Sequence, residues 1–240
     1  MVSPTLRLER ELLRSGTRRV GAMDEVGRGS PAGPVYVGLV VVDASTGRPP
    51  RGIRDSKLLP PAAREALVPR IRRWAPAWAV GSAEPAEVDA LGLSTALGLA
   101  GLRALAAVDE PPDLLVVDGN YDWLTPARTP AHAPVPPVMT RIRADLTCTS
   151  VAAASILAKV ARDAVMIRLA QEFPDYGWDA NKGYSTADHL DALRRLGPSP
   201  HHRISWRLPD RCDDVVGAAS GAGAVTGGPV TDLSGARPPS

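Results

Sequence analysis

Cysteine is nearly absent from this chain: among 240 residues only Cys148 and Cys212 occur, far apart and in no paired spacing. That argues against a disulfide scaffold and a zinc ribbon, and it makes a reducing compartment the simplest reading. Long apolar runs are missing too, none approaching the roughly 20 residues a membrane span needs. The opening MVSPTLRLERELLRSGTRRV is charged throughout and lacks the apolar core of a signal peptide, so a soluble, cytoplasmic protein is expected. Charge of one sign is also scarce. The net charge is +2, and composition alone does not announce a nucleic-acid binder. Lysine is rare, only 3 of the 28 basic residues. Lys57, Lys159 and Lys182 stand in RDSKLL, SILAKVARD and NKGYST; the Arg bias suggests GC-rich coding, and against it a retained Lys hints at a wanted compact point charge, with chance the equal alternative. What is present, 44% hydrophobic residues in 25.2 kDa, suffices for a substantial core and excludes disorder over the whole length.

Patterning predicts an α/β domain with a mixed sheet over 18–210, preceded by a lead segment, 1–17, and followed by a flexible low-complexity tail, 211–240. Strands are expected at 18–25, at VYVGLVVV (35–42), at 78–80 and at LLVVD (114–118). VMTRIRAD is expected to add a strand ending on Asp145. Helix periodicity covers 62–73, entered at Pro60-Pro61, and 86–108 despite its glycines. The strongest helix runs over 150–172, with Thr149 or Ser150 as its cap, and a helical hairpin follows with one helix at 186–196.

Carboxylates end several of these strands: Asp24 and Glu25 the first, Asp118 the LLVVD strand, and Asp145 before the long helix. A carboxylate at the end of an apolar strand is costly to bury unless a cation meets it. Several converging at one sheet edge would repel one another unless divalent ions neutralised them. Hard oxygen ligands with no His or Cys cluster favour Mg2+ or Mn2+ over zinc. The chemistry that uses such a site is phosphodiester cleavage with two metal ions. Asp118, followed by Gly-Asn, also reads as a turn residue, and Asp145 as a helix cap. Gly27-Arg28-Gly29 imitates a dinucleotide-binding turn, but Pro31, Pro34 and a strand follow where that fingerprint needs a helix.

DEVGRGSPAGPVYVGLVVV, RDSKLL, VVDGN, ADLTCTSVAAASILAKVARD and NKGYSTADHL occur in an order and spacing that resemble bacterial ribonuclease HII, from about Arg18 to Trp206. The resemblance implies a ribonuclease H-like fold, a five-stranded mixed sheet flanked by helices with a helical C-terminal extension. It also implies an endonuclease that cuts RNA in RNA–DNA hybrids and nicks beside single ribonucleotides in duplex DNA, leaving 3′-hydroxyl and 5′-phosphate ends. Asp24, Glu25 and Asp118 match the family's metal-binding acids and Asp145 its fourth active-site acid. Gly27, Arg28 and Gly29 match the turn that reads the 2′-hydroxyl, and Tyr184 a tyrosine that packs on the next sugar. Lys57 and Lys182 are expected at phosphate, with Ser56 and Ser150 as polar neighbours, and Asp163 as a structural acid. Other readings stay open: Tyr184 as a packed surface aromatic, Lys159 in a helix-face ion pair, His201 and His202 as a solvated turn, and Cys148 as a small buried residue. Three departures stand out: Asn181 where the family has His, Gly92 where Asn is common, and Arg143-Ala144 for Lys-Gly. The alternatives are an inactive nucleic-acid binder of the same fold and a ribonuclease HIII-like enzyme, for whose extra N-terminal domain 1–17 is too short. A monomer is expected.

Overall fold

A computed structural model describes residues 3–129 and 134–210; the expected tail, 211–240, lies outside the described residues. Five strands form one sheet in the order β3-β2-β1-β4-β5: β1 (Arg19–Val26), β2 (Val35–Asp43), β3 (Ala77–Ala83), β4 (Leu114–Asp118) and β5 (Val138–Arg141). β1 pairs antiparallel with β2 and β2 with β3, whereas β4 and β5 run parallel to β1. The sheet is mixed, as expected.

Period-two alternation divides the apolar residues between two cores. Val20, Ala22, Val40 and Val42 face one side, where α1 (Arg7–Arg14), α2 (Pro61–Trp74) and α6 (Thr149–Glu172) pack. Met23, Val37, Leu39 and Val41 face the other, covered by α3 (Pro85–Leu91) and α4 (Leu93–Ala106). A third cluster joins Met166 and Ala170 of α6 to Tyr176, Trp178 of α7 (Trp178–Asn181), and Ala192 and Leu193 of α8 (Ala187–Leu196). Among the described residues no helix is long and apolar enough to cross a membrane.

Four details differ from the sequence expectations. The 86–108 helix is two helices, broken at Gly92, whose φ of 78° lies where glycine is at ease. The strand expected to reach Asp145 stops at Arg141. Asp145 then sits on a separate four-residue helix, α5 (Ala144–Thr147), entered through Arg143 at φ 55°. The long helix α6 is capped by neither Thr149 nor Ser150: its N-cap residue is Cys148, which supplies no side-chain bond. Finally, the lead segment contains α1, whose Leu8, Leu12 and Leu13 pack on the first core.

Candidate active site

Parallel pairing of the two central strands brings the first acids together. The ladder runs to Met23 opposite Val117, so the next residues along, Asp24 and Asp118, end neighbouring strands on the same edge. Asp24 shares the face of Val20 and Ala22 and points toward α6; Glu25 falls on the alternate face. Close approach of α6 depends on Gly38, the β2 partner of Asp24: a Cβ there would lie 2.2 Å from the Ala154 carbonyl oxygen. Asp145 joins through α5, whose first amide, Ala144 N–H, donates to Asp118 Oδ1 at 2.6 Å.

Electrostatically these acids are unresolved. Asp24 is 7% exposed. Its carboxyl is held well above the usual range by burial; a Ser155 hydrogen bond partly offsets this, and Glu25, Asp118 and Asp145 add repulsion. Burial also raises Glu25, with Asp118 adding to the rise, against the nearby Arg28 guanidinium at 3.4 Å. Glu25 Oε2 is buried without a hydrogen-bond partner. Asp145 is raised by burial, Asp118 and Asp55, with Lys57 opposing. The Lys57 ammonium is held above its usual range in turn: burial pulls it down, but Asp55, Asp24, Asp145 and Asp118 outweigh that pull. Desolvated, mutually repelling oxygens, one of them orphaned, fit a hard divalent cation. Among the described residues no three His, Cys, Asp or Glu side chains close into a ligand cage. A cation here would therefore draw further ligands from water or substrate.

The glycine-rich turn after β1 is built from within by two arginines that the sequence reading did not single out. Arg162 of α6 is fully buried and donates to the carbonyls of Pro34 and Ala32, to Ser30 Oγ and to the Lys182 carbonyl, at 2.8–3.0 Å. Arg203, equally buried, donates to the carbonyls of Gly27 (2.8 Å), Gly33 (3.0 Å) and Arg28 (3.2 Å). These are cations solvated by backbone oxygen. Burial holds both below the usual arginine range, Arg203 at about 10 with repulsion from Arg162 added. Gly27, at φ 86°, leaves the room: a Cβ would lie 2.3 Å from Arg162 Nε. With these carbonyls engaged from inside, Arg28 and Gly29 stand exposed at the surface. Helix period was the available signal, since Ser155, Arg162 and Met166 fall on one stripe of α6 and all are buried.

Arg162 also reaches the second loop. Its guanidinium lies 5.3 Å from the Tyr184 ring centre, and the Lys159 ammonium 5.6 Å, so the half-buried tyrosine is held by two cations. Asn181 ties this turn: its amide donates to the Tyr176 carbonyl and its Oδ1 accepts from Gly183 N–H, each at 2.7 Å. Lys182, at φ 53°, donates to the Asp179 carbonyl. His189 Nδ1 is 2.9 Å from the Tyr184 carbonyl, while its Nε2 meets both Trp178 Nε1 and His202 Nε2 at 3.1 Å. Ser199 N–H donates to His202 Nδ1 at 2.9 Å. Since indole N–H can only donate, one tautomer pair satisfies every contact: hydrogen on Nδ1 of His189 and on Nε2 of His202. His202 is thus a fully buried neutral ring, not the solvated turn residue expected, because the third core closes over it.

The remaining site residues separate into two groups. A groove of about 610 Å³ gathers Lys57, Lys159, Lys182, Arg64 and Tyr184, and touches the acids only through Lys57. Asp163 braces its wall, pairing with Lys159 at 2.7 Å and Arg64 at 3.5 Å. The two serines do not face it. Ser56 is buried, with Oγ 2.9 Å from Ser155 Oγ, and supports Asp24 through that hydroxyl. Ser150 is fully buried, and both its N–H and hydroxyl donate to Glu9 Oε1, at 3.0 and 2.6 Å. This corrects its expected place beside phosphate: those bonds occupy its polar groups and burial leaves it no surface. Cys148 is buried, as read.

A protein-family model described as Ribonuclease HII matches residues 21–208. Curated relatives named Ribonuclease HII include that of Streptomyces avermitilis, 44% identical over 209 residues, covering 86% of this chain and 85% of its own length. The protein of that name from Caulobacter vibrioides is 42% identical, covering 93% and 96%. Among solved structures, ribonuclease H2 from Pyrococcus horikoshii superposes with a TM-score of 0.64 at 25% identity, over 79% of this chain and 94% of that one. Bst-RNase HIII in complex with Mn2+ gives 0.60 at 21% identity, over 80% and 66%, a likeness of fold alone.

Proposed function

The chain belongs to the ribonuclease HII family and is a ribonuclease H, and from that premise we propose that it cuts the RNA strand of RNA–DNA hybrids and nicks 5′ of single ribonucleotides embedded in duplex DNA. The observation that carries the reading is the acid edge: burial raises the carboxyls of Asp24, Glu25 and Asp145, the Asp118 charge adds to the rise of each, and one buried oxygen has no partner. These four side chains would hold Mg2+ or Mn2+. Two such ions would supply a nucleophilic water at neutral pH and neutralise charge on the scissile phosphate and the departing 3′-oxygen.

The chain's own groups do the rest. Ser155, backed by Ser56, orients the Asp24 carboxylate, while Asp118 accepts from Ala144 N–H and so fixes α5 relative to β4. Lys57 brings a positive charge to the phosphate side of the acids. Arg162 and Arg203 hold the 27–34 carbonyls inward, leaving Gly27, Arg28 and Gly29 to meet the one group that marks RNA, the 2′-hydroxyl. Tyr184, clamped below two cations, offers a flat apolar face to the following sugar, where a second 2′-hydroxyl would clash. Lys182 lies along the same groove, within reach of the strand's phosphates.

The test is cleavage of a DNA duplex bearing one ribonucleotide, with Mg2+, Mn2+ or chelator, beside an all-DNA control. A metal-dependent nick 5′ of the ribonucleotide, absent from the control, is expected. Retained binding without cleavage in either metal would reject the reading in favour of an inactive binder.

A further inference from the structure

We propose that the N-terminal arm, Thr5 to Arg14, is a positioning device for Asp145, with Glu9 as its anchoring residue. The inference deepens the assignment of Asp145 as a metal-holding acid and rests on it for its functional consequence.

A four-residue helix cannot sustain itself, because nucleation fixes several residues for a single hydrogen bond. α5 is moreover entered through Arg143 in the left-handed region, an unfavourable start for a side chain bearing a Cβ. Something outside α5 must keep Asp145 in place, and the structure shows ties at both ends. At its start, Ala144 N–H donates to Asp118. At its end the arm takes over. Thr5 N–H donates to the Thr147 carbonyl at 3.1 Å, Thr149 N–H donates back to the Thr5 carbonyl at 3.2 Å, and Thr5 forms a parallel bridge with Cys148.

Glu9 locks this splice. It is 1% exposed on an otherwise charged helix, and its Oε1 accepts both the N–H and the hydroxyl of Ser150 in the first turn of α6. Since Cys148 provides no side-chain cap, Glu9 caps α6 from another part of the chain, with its negative charge at the positive end of the helix. Leu6 and the leucines of α1 hold the arm down on the core. The route from arm to chemistry is short: Glu9 to Ser150, Thr5 to Thr147 and Cys148, and then Asp145 within the same helix.

The experiment compares full-length wild type with Glu9→Ala, Glu9→Gln, Asp145→Asn and Val88→Ala, the last being a loss of stability on the opposite face of the sheet. Amide hydrogen exchange without metal is the first readout. Glu9→Ala is expected to speed exchange at Ala144, Cys148 and Ser150 while β1 and β2 stay protected, and Glu9→Gln, which keeps an oxygen for Ser150, restores most of the protection. Calorimetric Mn2+ titration is the second, where Glu9→Ala binds about 10-fold more weakly and Val88→Ala binds as wild type. Unchanged exchange at Ala144 and Cys148 in Glu9→Ala overturns the proposal whatever the metal does. Faster exchange with equal Mn2+ binding by wild type and Asp145→Asn leaves the positioning standing and overturns the metal reading instead.

Discussion

Two of the regions that bury charge in this molecule treat it in opposite ways. At the sheet edge Asp24, Glu25 and Asp145 are desolvated, repel their neighbours and leave an oxygen unpaired. Beneath the 27–34 turn, Arg162 and Arg203 are more deeply buried still, yet each guanidinium is surrounded by oxygen acceptors, and the histidine pair beside them is satisfied in a single tautomer arrangement. The second region is complete and gives shape; the first is left with uncompensated charge, which the proposed cation would balance. On the proposed reading the uncompensated acids are where the chemistry sits, and the satisfied arginines are the scaffold that aims it.

The contrast breaks most visibly at the acids. Asp118→Asn should cut turnover about 1000-fold with the fold intact by circular dichroism, since it removes a charge without changing volume. Near-wild-type cleavage by that variant would reject the site. On the scaffold side, Arg203→Leu should cost about 3 kcal/mol in urea unfolding, because the Gly27 and Gly33 carbonyls lose their donors; a loss below about 1 kcal/mol would show that water replaces the guanidinium.

Acid separates the regions by sign. His202 is pushed down to about 4, first by burial and then by His189. Its contribution to stability is therefore whole above its unfolded value near 6.5 and is lost as the pH falls toward 4, on the order of 3 kcal/mol. The raised carboxyls run the other way, taking up protons first in the folded state and gaining stability as the pH falls toward their unfolded values near 4. Ring resonances of His202 that remain neutral down to about pH 4 would bear this out; titration near 6.5 would contradict it. The smallest effect expected is Asp24→Asn, which relieves a desolvated charge and should stabilise the metal-free protein by about 1 kcal/mol, while abolishing the rise in Tm expected of wild type with Mn2+. A metal-free Tm that falls instead would mean the carboxylate is already compensated.

Much of this was readable from residue types. The strands of alternating or continuous apolar residues, the long 150–172 helix and the acids closing Asp24-Glu25 and LLVVD all rest on local patterns, and the sheet follows them closely. The errors fall where distant segments override a local pattern. VMTRIRAD has a strand's composition throughout, but only Val138–Arg141 finds a neighbour to pair with, and the remainder turns into α5 to meet Asp118 and Thr5. Ser150 has the composition of a cap, but a glutamate 141 residues earlier in the chain does the capping. His202 follows another histidine in a polar stretch, and only the closing of Tyr176 and Trp178 over it makes it core.

By itself the sequence determined which residues are the candidates for the chemistry, because four acids at strand and helix ends, a glycine-rich turn and an NKGY segment are chemical identities that folding does not alter. Tertiary structure alone decided how charge is compensated, since burial, repulsion and the supply of carbonyl oxygens depend on what lies across space. That is why the acids, Lys57 and Tyr184 stand out as candidates from residue type alone. Arg162, Arg203 and Glu9 do not: an Arg or Glu on a helix or in a polar loop looks like solvent-facing surface until its partners close around it.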